Sequence, residues 1–174
     1  MNQQLATRLK QITLLLLDVD GVLTDGMIIY NDSNVETKMF SVKDGFGIRL
    51  LMDFGIQVGI VTGRSSPVVR HRCENLGITM IFDGVRDKAS ALEDIMRQTG
   101  RTSQEIAFIG DDFPDLPIMN QVGLPIAVAD AHEHVRKQAA LVTSSNGGKG
   151  AVREVSEAIL KAKGLWNNIL DIYR

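Results

Sequence analysis

The chain alternates short apolar runs with stretches whose apolar residues recur at helical spacing. The runs are residues 12–17, 58–61, 79–82, 106–109 and 124–128. Each is short for a helix and has almost no polar face, which predicts strands covered on both sides, as in a parallel sheet. Between them, residues 46–54, 67–76, 88–98 and 114–121 predict helices. Strands alternating with helices at this interval predict an α/β domain with a mostly parallel sheet. Residues 26–40 break the rhythm. Met27, Ile28, Ile29 and Tyr30, then Val35, Thr37 and Met39, flank the turn-rich Asn31-Asp32-Ser33-Asn34. This predicts a β-hairpin inserted after the first strand. Residues 150–174 predict helix with a break near Gly164. No repeat, low-complexity tract or linker divides the 174 residues, so one domain is expected.

Composition adds few constraints. Hydrophobic residues at 44% and charged residues at 23% describe an ordinary globular chain. A net charge of -2 argues against a nucleic-acid surface or a basic membrane patch. Cys73, the only cysteine, rules out a disulfide framework and a cysteine metal site, and fits an inert core position. Residues 1–13 lack the apolar stretch of a leader peptide, and residues 14–17 are too short to span a membrane. A cytoplasmic enzyme is therefore expected.

Open α/β sheets bind ligands beyond the carboxyl ends of their strands. Asp18 and Asp20 follow the first strand, Thr62, Gly63 and Arg64 the second, and Gly110, Asp111 and Asp112 the fourth. Hydrolysis of a phosphate monoester suits such a set. Asp18 is placed to act as a carboxylate nucleophile that takes the phosphoryl group and passes it to water. Asp111 is the natural second carboxylate for Mg²⁺, a hard cation that favours oxygen ligands. Asp20, two residues beyond Asp18, is placed to protonate the leaving alcohol and then to activate water. Thr62 and the amides near Val19 and Gly63 suit phosphate oxygens. Lys88 suits the negative charge around Asp18, with Asp115 orienting it or a metal-bound water.

Structural readings compete. Thr62 also suits a helix cap, and Asp44 suits a cap for a helix beginning near Gly45. Residues 147–150 read equally as a flexible turn and as an anion-binding loop. His71, His132 and His134 have no partner pattern. The ordered set Asp-x-Asp-Gly-Val, Thr-Gly-Arg, Lys, Gly-Asp-Asp-x-x-Asp favours catalysis over chance.

That set, as residues 14–21 (LLLLDVDG), Thr62-Gly63-Arg64, Lys88 and residues 110–115 (GDDFPD), resembles the four motifs of the haloacid dehalogenase superfamily. Further stretches, residues 18–26, 40–49, 127–132 and 147–154, resemble its phosphatases of eight-carbon ulosonate sugars, which act in lipopolysaccharide synthesis. The resemblance implies a Rossmann-like sheet flanked by helices, Mg²⁺ and an aspartyl-phosphate. It implies that Asp18 and Asp111 ligate the metal through side chains and Asp20 through its carbonyl. It implies substrate contacts from Asp20, Ser41, Val42, Lys43, Asp44, Gly45, Arg49, Arg64, Arg72, Lys88 and Asp112. Guanidinium forks suit a sugar phosphate that also bears a carboxylate. Lys43 stands where many relatives carry arginine, which keeps a charge but loses bidentate geometry.

The intervals between motifs leave no room for a cap domain. The resemblance implies a homotetramer instead, with hairpins packed together and neighbours closing each site. The apolar hairpin agrees, because alone it exposes a hydrophobic edge. A nine-carbon ulosonate phosphate is the nearest alternative substrate. A phosphorylated receiver module is the alternative outside enzymology, but a receiver carries its acidic pair after the first strand and accepts phosphate after the third. A catalytically silent scaffold is disfavoured because every catalytic position is filled.

Overall fold

The computed structural model describes residues 3–174; the first two residues of the polar start lie outside them. Among the described residues, six strands form one parallel sheet: β1 (Leu14–Leu17), β4 (Gln57–Val61), β5 (Met80–Phe82), β6 (Ile106–Gly110), β7 (Leu124–Ala127) and β8 (Leu141–Val142). Their order is β5-β4-β1-β6-β7-β8. β1 is central and all four of its leucines are fully buried, which is why the segment has no polar alternation. Leu17 lies opposite Ile60 on one side and Ile109 on the other. The chain runs outward from β1 through β4 to β5, then crosses back to β6. The edge where β1 meets β6 is thus a topological switch point, and the residues after both strands open onto one crevice.

The helices are α1 (Gln3–Gln11), α2 (Val42–Asp53), α3 (Pro67–Leu76), α4 (Lys88–Thr99), α5 (Leu116–Met119), α6 (Glu133–Gln138), α7 (Ala151–Ala162) and α8 (Trp166–Ile172). α3 and α4 end on Gly77 and Gly100 in the left-handed conformation that favours glycine. A separate hairpin, β2 (Ile29–Tyr30) with β3 (Glu36–Thr37), pairs Ile29 with Thr37 and Tyr30 with Glu36. It stands where residues 26–40 predicted it. No cap domain occurs among the described residues. Cys73 is buried, and burial pushes its thiol up to about 11.

Three expectations change. The second helix begins at Val42, not near Gly45, and its cap is Ser41, whose hydroxyl accepts from the Asp44 amide at 3.2 Å. Asp44 instead caps α7. Only 1% exposed, it accepts from the Arg153 amide at 2.8 Å and the Gly150 amide at 3.1 Å. Both of its oxygens are therefore taken at a helix start, where carboxylates are favoured. Residues 147–150 form a turn directly before α7, and their amides are engaged within the chain and not left for an anion. The Gly147 amide donates to Asp130 and the Gly148 amide to the Val22 carbonyl. A Cβ at Gly147 would overlap the Gly21 carbonyl oxygen, so only glycine lets this loop brace the segment after β1.

Asp44→Ala strands the two amides at the start of α7 and is expected to lower unfolding free energy by about 1–3 kcal/mol. Asp44→Asn, which keeps an acceptor, should lose less. Urea denaturation of the two variants checks this.

Candidate active site

The residues after β1, β4 and β6 line one cavity of about 210 Å³. Asp18, Asp20, Thr62, Arg64, Lys88, Asp111, Asp112 and Asp115 all contribute to it. The backbone of Asp18 still belongs to the sheet, since its amide donates to the Ile109 carbonyl at 3.1 Å. Thr62 is likewise held, its amide donating to Phe82 at 2.9 Å. The nucleophile candidate therefore sits on rigid backbone, not on a loose loop.

Lys88 opens α4, and its ammonium is buried between two carboxylates. It donates to Asp18 Oδ1 at 2.8 Å and to Asp115 Oδ1 at 2.5 Å. Asp115 Oδ2 accepts from the amides of Asp111 at 2.8 Å and Asp112 at 3.3 Å. Asp115 thereby ties Lys88 to the loop that carries Asp111. The Asp112 carboxylate accepts from the Phe113 amide at 2.8 Å, capping a short 3-10 turn at Phe113–Asp115.

Carboxylate oxygens of Asp18, Asp111 and Asp115 lie within 4.8 Å of one another. Gly21 permits this crowding: its φ is +91°, and a Cβ there would overlap the Asp111 carboxylate. Burial raises Asp18 to about 6, opposed by Lys88 and reinforced by Asp115. Burial, then the charges of Asp115 and Asp18, raise Asp111 to about 8. Lys88 is lowered by burial but raised more by Asp18 and Asp115, so the net shift is upward. One lysine does not balance this much negative charge. A hard divalent cation on oxygen ligands fits the donor set, with Asp18 and Asp111 offering oxygens that Lys88 and the loop amides leave free.

Asp20 faces the other wall of the cavity. Lys38 forms a close ion pair with its Oδ1, and Arg64 Nε lies 3.6 Å from its Oδ2. Arg64 also pairs with Glu36 at 2.8 Å and donates to the Tyr30 hydroxyl at 2.9 Å. Ser66 donates to Glu36 at 2.5 Å. Sequence reasoning missed Lys38, Glu36, Tyr30 and Ser66. The one signal available was two charged residues spaced by two within a β-prone segment, which puts both on one face.

The remaining expected substrate contacts are elsewhere. Val42, Gly45, Arg49 and Arg72 line a separate depression of about 310 Å³ with Phe46, Asn75 and Leu76. Arg49 donates to the Asn75 carbonyl at 2.5 Å and Arg72 to the Ser41 carbonyl at 3.3 Å. Lys43 is exposed, and Asp44 is committed to α7 as described. One protomer does not bring residues 41–45, Arg49 and Arg72 to Asp18.

Comparison with known proteins matches residues 77–155 to a family described as haloacid dehalogenase-like hydrolase. The 3-deoxy-D-manno-octulosonate 8-phosphate phosphatase of Haemophilus influenzae is 46% identical over 157 residues, 90% of this chain and 87% of its own. The crystal structure of the enzyme of that name from Moraxella catarrhalis, in complex with a magnesium ion, a phosphate ion and Kdo, superposes with a TM-score of 0.97 at 40% identity, covering 100% of both chains. The Yersinia pestis structure gives 0.95 at 41% identity over 96% of this chain and 90% of its own.

The raised carboxylates set a pH dependence. Asp111 moves from an ordinary 3.8 to about 8, so the metal-free fold holds its proton more tightly than the unfolded chain does. That contribution is present below about pH 4 and is lost as pH rises through 8. The metal-free melting temperature should fall across this window. Asp111→Asn should flatten the fall and raise the melting temperature at pH 8, while losing the stabilisation that Mg²⁺ gives the parent. Thermal melts with and without chelator test each point.

Proposed function

Because the chain belongs to the haloacid dehalogenase-like hydrolases, among the 3-deoxy-D-manno-octulosonate 8-phosphate phosphatases, we propose that it hydrolyses that eight-carbon sugar phosphate to Kdo and phosphate. The observation that carries this reading is Lys88 bridging Asp18 and Asp115 beside Asp111, at the switch point of the sheet. We take the whole chain as a single phosphatase domain, working in the cytoplasm in lipopolysaccharide synthesis. No described helix is long and apolar enough to cross a membrane.

Asp18 attacks phosphorus as the ester oxygen departs, forming an acyl phosphate on its carboxylate. Asp20 gives the departing oxygen its proton, so the sugar leaves as an alcohol. Asp20 then takes a proton from the water that attacks phosphorus, which releases phosphate and restores the Asp18 carboxylate. Lys88, 2.8 Å from Asp18, opposes the effect of burial and keeps the nucleophile ionised. Thr62 and the Val19 and Gly63 amides donate to the phosphoryl oxygens. Asp18, Asp111 and the Asp20 carbonyl would hold Mg²⁺, which when bound would supply the positive charge that lets an anionic nucleophile meet an anionic ester.

Selectivity for the sugar acid requires more surface than the 210 Å³ cavity offers. The hairpin suggests its source. Glu36 and Lys38 turn inward to the site, while Val35 and Met39 are 56% and 67% exposed, with Met27, Ile28, Ile29 and Tyr30 also exposed. A hairpin with its polar face inward and its apolar face outward calls for a cover. A homotetramer with packed hairpins provides one, and lets residues 41–43, Gly45, Arg49 and Arg72 of a neighbour complete the site. In that arrangement the guanidinium groups, and Lys43 as a simple charge, meet the carboxylate of the sugar.

Phosphate release from a panel of sugar phosphates with Mg²⁺ tests the substrate. We expect strong preference for the eight-carbon ulosonate over the nine-carbon one, with activity abolished by Asp18→Asn and by chelator. Preference for another sugar phosphate would keep the chemistry and remove the substrate assignment. Sedimentation tests the assembly: a tetramer is expected, and Met27→Asp with Met39→Asp should dissociate it and weaken substrate binding at least tenfold.

A further inference from the structure

Four charged side chains close a ring beside the nucleophile. Lys38 Nζ pairs with Asp20 Oδ1 and lies 3.4 Å from Glu36 Oε1. Arg64 pairs with the same Glu36 oxygen at 2.8 Å and lies 3.6 Å from Asp20 Oδ2. Charges alternate around the ring, so each acid has two cations and each cation two acids. The members differ in exposure. The Lys38 side chain is 0% exposed and that of Arg64 is 44% exposed. Glu36 is further fixed by Ser66.

A buried ammonium is costly unless paired. Here the residue after β3, Lys38, places one behind the cavity lining, against the Asp20 carboxylate that the mechanism asks to move protons. An aspartate has two side-chain torsions, and a proton-transfer group must lie within hydrogen-bond reach of its target. Nothing in the segment after β1 bonds the Asp20 carboxylate; its partners are Lys38 and Arg64. Arg64 is exposed and open to exchange with an incoming anion. Lys38 is enclosed and is not.

We propose that Lys38, tethered by Glu36, is a positioning residue that holds the Asp20 carboxylate in line for proton transfer to the leaving oxygen. This rests on the phosphatase reading above. In the first step Asp20, protonated on Oδ2 once Arg64 has turned to the incoming anion, gives that proton to the departing oxygen as the bond from the Asp18 oxygen to phosphorus forms and the phosphorus–oxygen ester bond breaks. Lys38 touches neither ester nor phosphorus. An anion that captures Arg64 removes one of the two cations on Asp20, and Lys38 keeps the carboxylate aligned.

The test uses the full chain with Mg²⁺ and two substrates. The eight-carbon sugar phosphate, an alkyl ester, needs a proton on its leaving oxygen, whereas p-nitrophenyl phosphate releases a stable phenolate without one. Lys38→Met should lower kcat on the alkyl ester at least tenfold, with KM changed less than about threefold. The pre-steady-state burst of p-nitrophenolate should keep its rate within about threefold of the parent. Lys38→Arg should restore most of the alkyl-ester activity. Equal losses on the alkyl ester and in the burst would make Lys38 a mere anchor of the hairpin and overturn the proposal, as would an unchanged alkyl-ester kcat. If Lys38→Met does not fold, Glu36→Gln, which loosens the tether alone, should show the same contrast in smaller measure, and no contrast would overturn it. A parent enzyme that hydrolyses neither ester would remove the phosphatase reading itself, and this proposal with it.

Discussion

Charge crowding at the carboxyl edge of the sheet governs the rest of the molecule. Asp18, Asp111 and Asp115 converge in a partly desolvated crevice, where burial first and neighbouring negative charge second raise Asp18 and Asp111. The fold answers with one buried ammonium, that of Lys88, shared between Asp18 and Asp115. A cation in this position does two things. It favours the ionised form of Asp18 while bonding only its Oδ1, and through Asp115 it locks α4 to the loop after β6. Asp111, which has no cation of its own, keeps its proton in the metal-free crevice and offers a carboxylate oxygen that a divalent cation would take in exchange for it.

Backbone carries much of this arrangement. β1 lies between β4 and β6, so the segments after it and after β6 meet without any long excursion. Gly21 lets Asp111 approach the turn after β1, and Gly147 lets a remote loop press on that same turn from behind. Asp44 then fastens the end of that loop to α2. The turn carrying Asp18 and Asp20 is thus held by the sheet, by the loop after β6 and by residues 147–150. Preorganisation of this kind keeps reacting groups within the small displacements that catalysis tolerates.

The hairpin inverts the usual relation between core and surface. Its charged face serves the catalytic cavity and its apolar face looks outward. A chain without a cap can exclude water from a phosphoenzyme only by borrowing surface, and a second copy presenting the same apolar face is the simplest source. The proposed assembly would also join the cavity of Asp18 to the depression of Arg49 and Arg72, which one chain keeps apart. Residues that are distant within one protomer can be neighbours in an assembly.

How much of this was legible depends on whether the signal was local. The all-leucine strand, the helix over residues 67–76 and the acidic residues after β1 and β6 carry their own patterns, since burial on both faces and helical spacing leave marks within a few residues. By resemblance, those motifs also specified the family. β8 and α6 went unread because a two-residue strand and a six-residue polar helix are too short for any periodicity to register. The partner of Asp44 lay more than a hundred residues away, so a local cap was the natural and mistaken reading. Lys38 has no local partner pattern, and only the fold lays its ammonium against Asp20 and Glu36. The chain by itself determined the architecture and the chemistry available at the strand ends. Only the tertiary structure decided which charges meet, because pairing energies depend on distances in space that spacing along the chain does not encode.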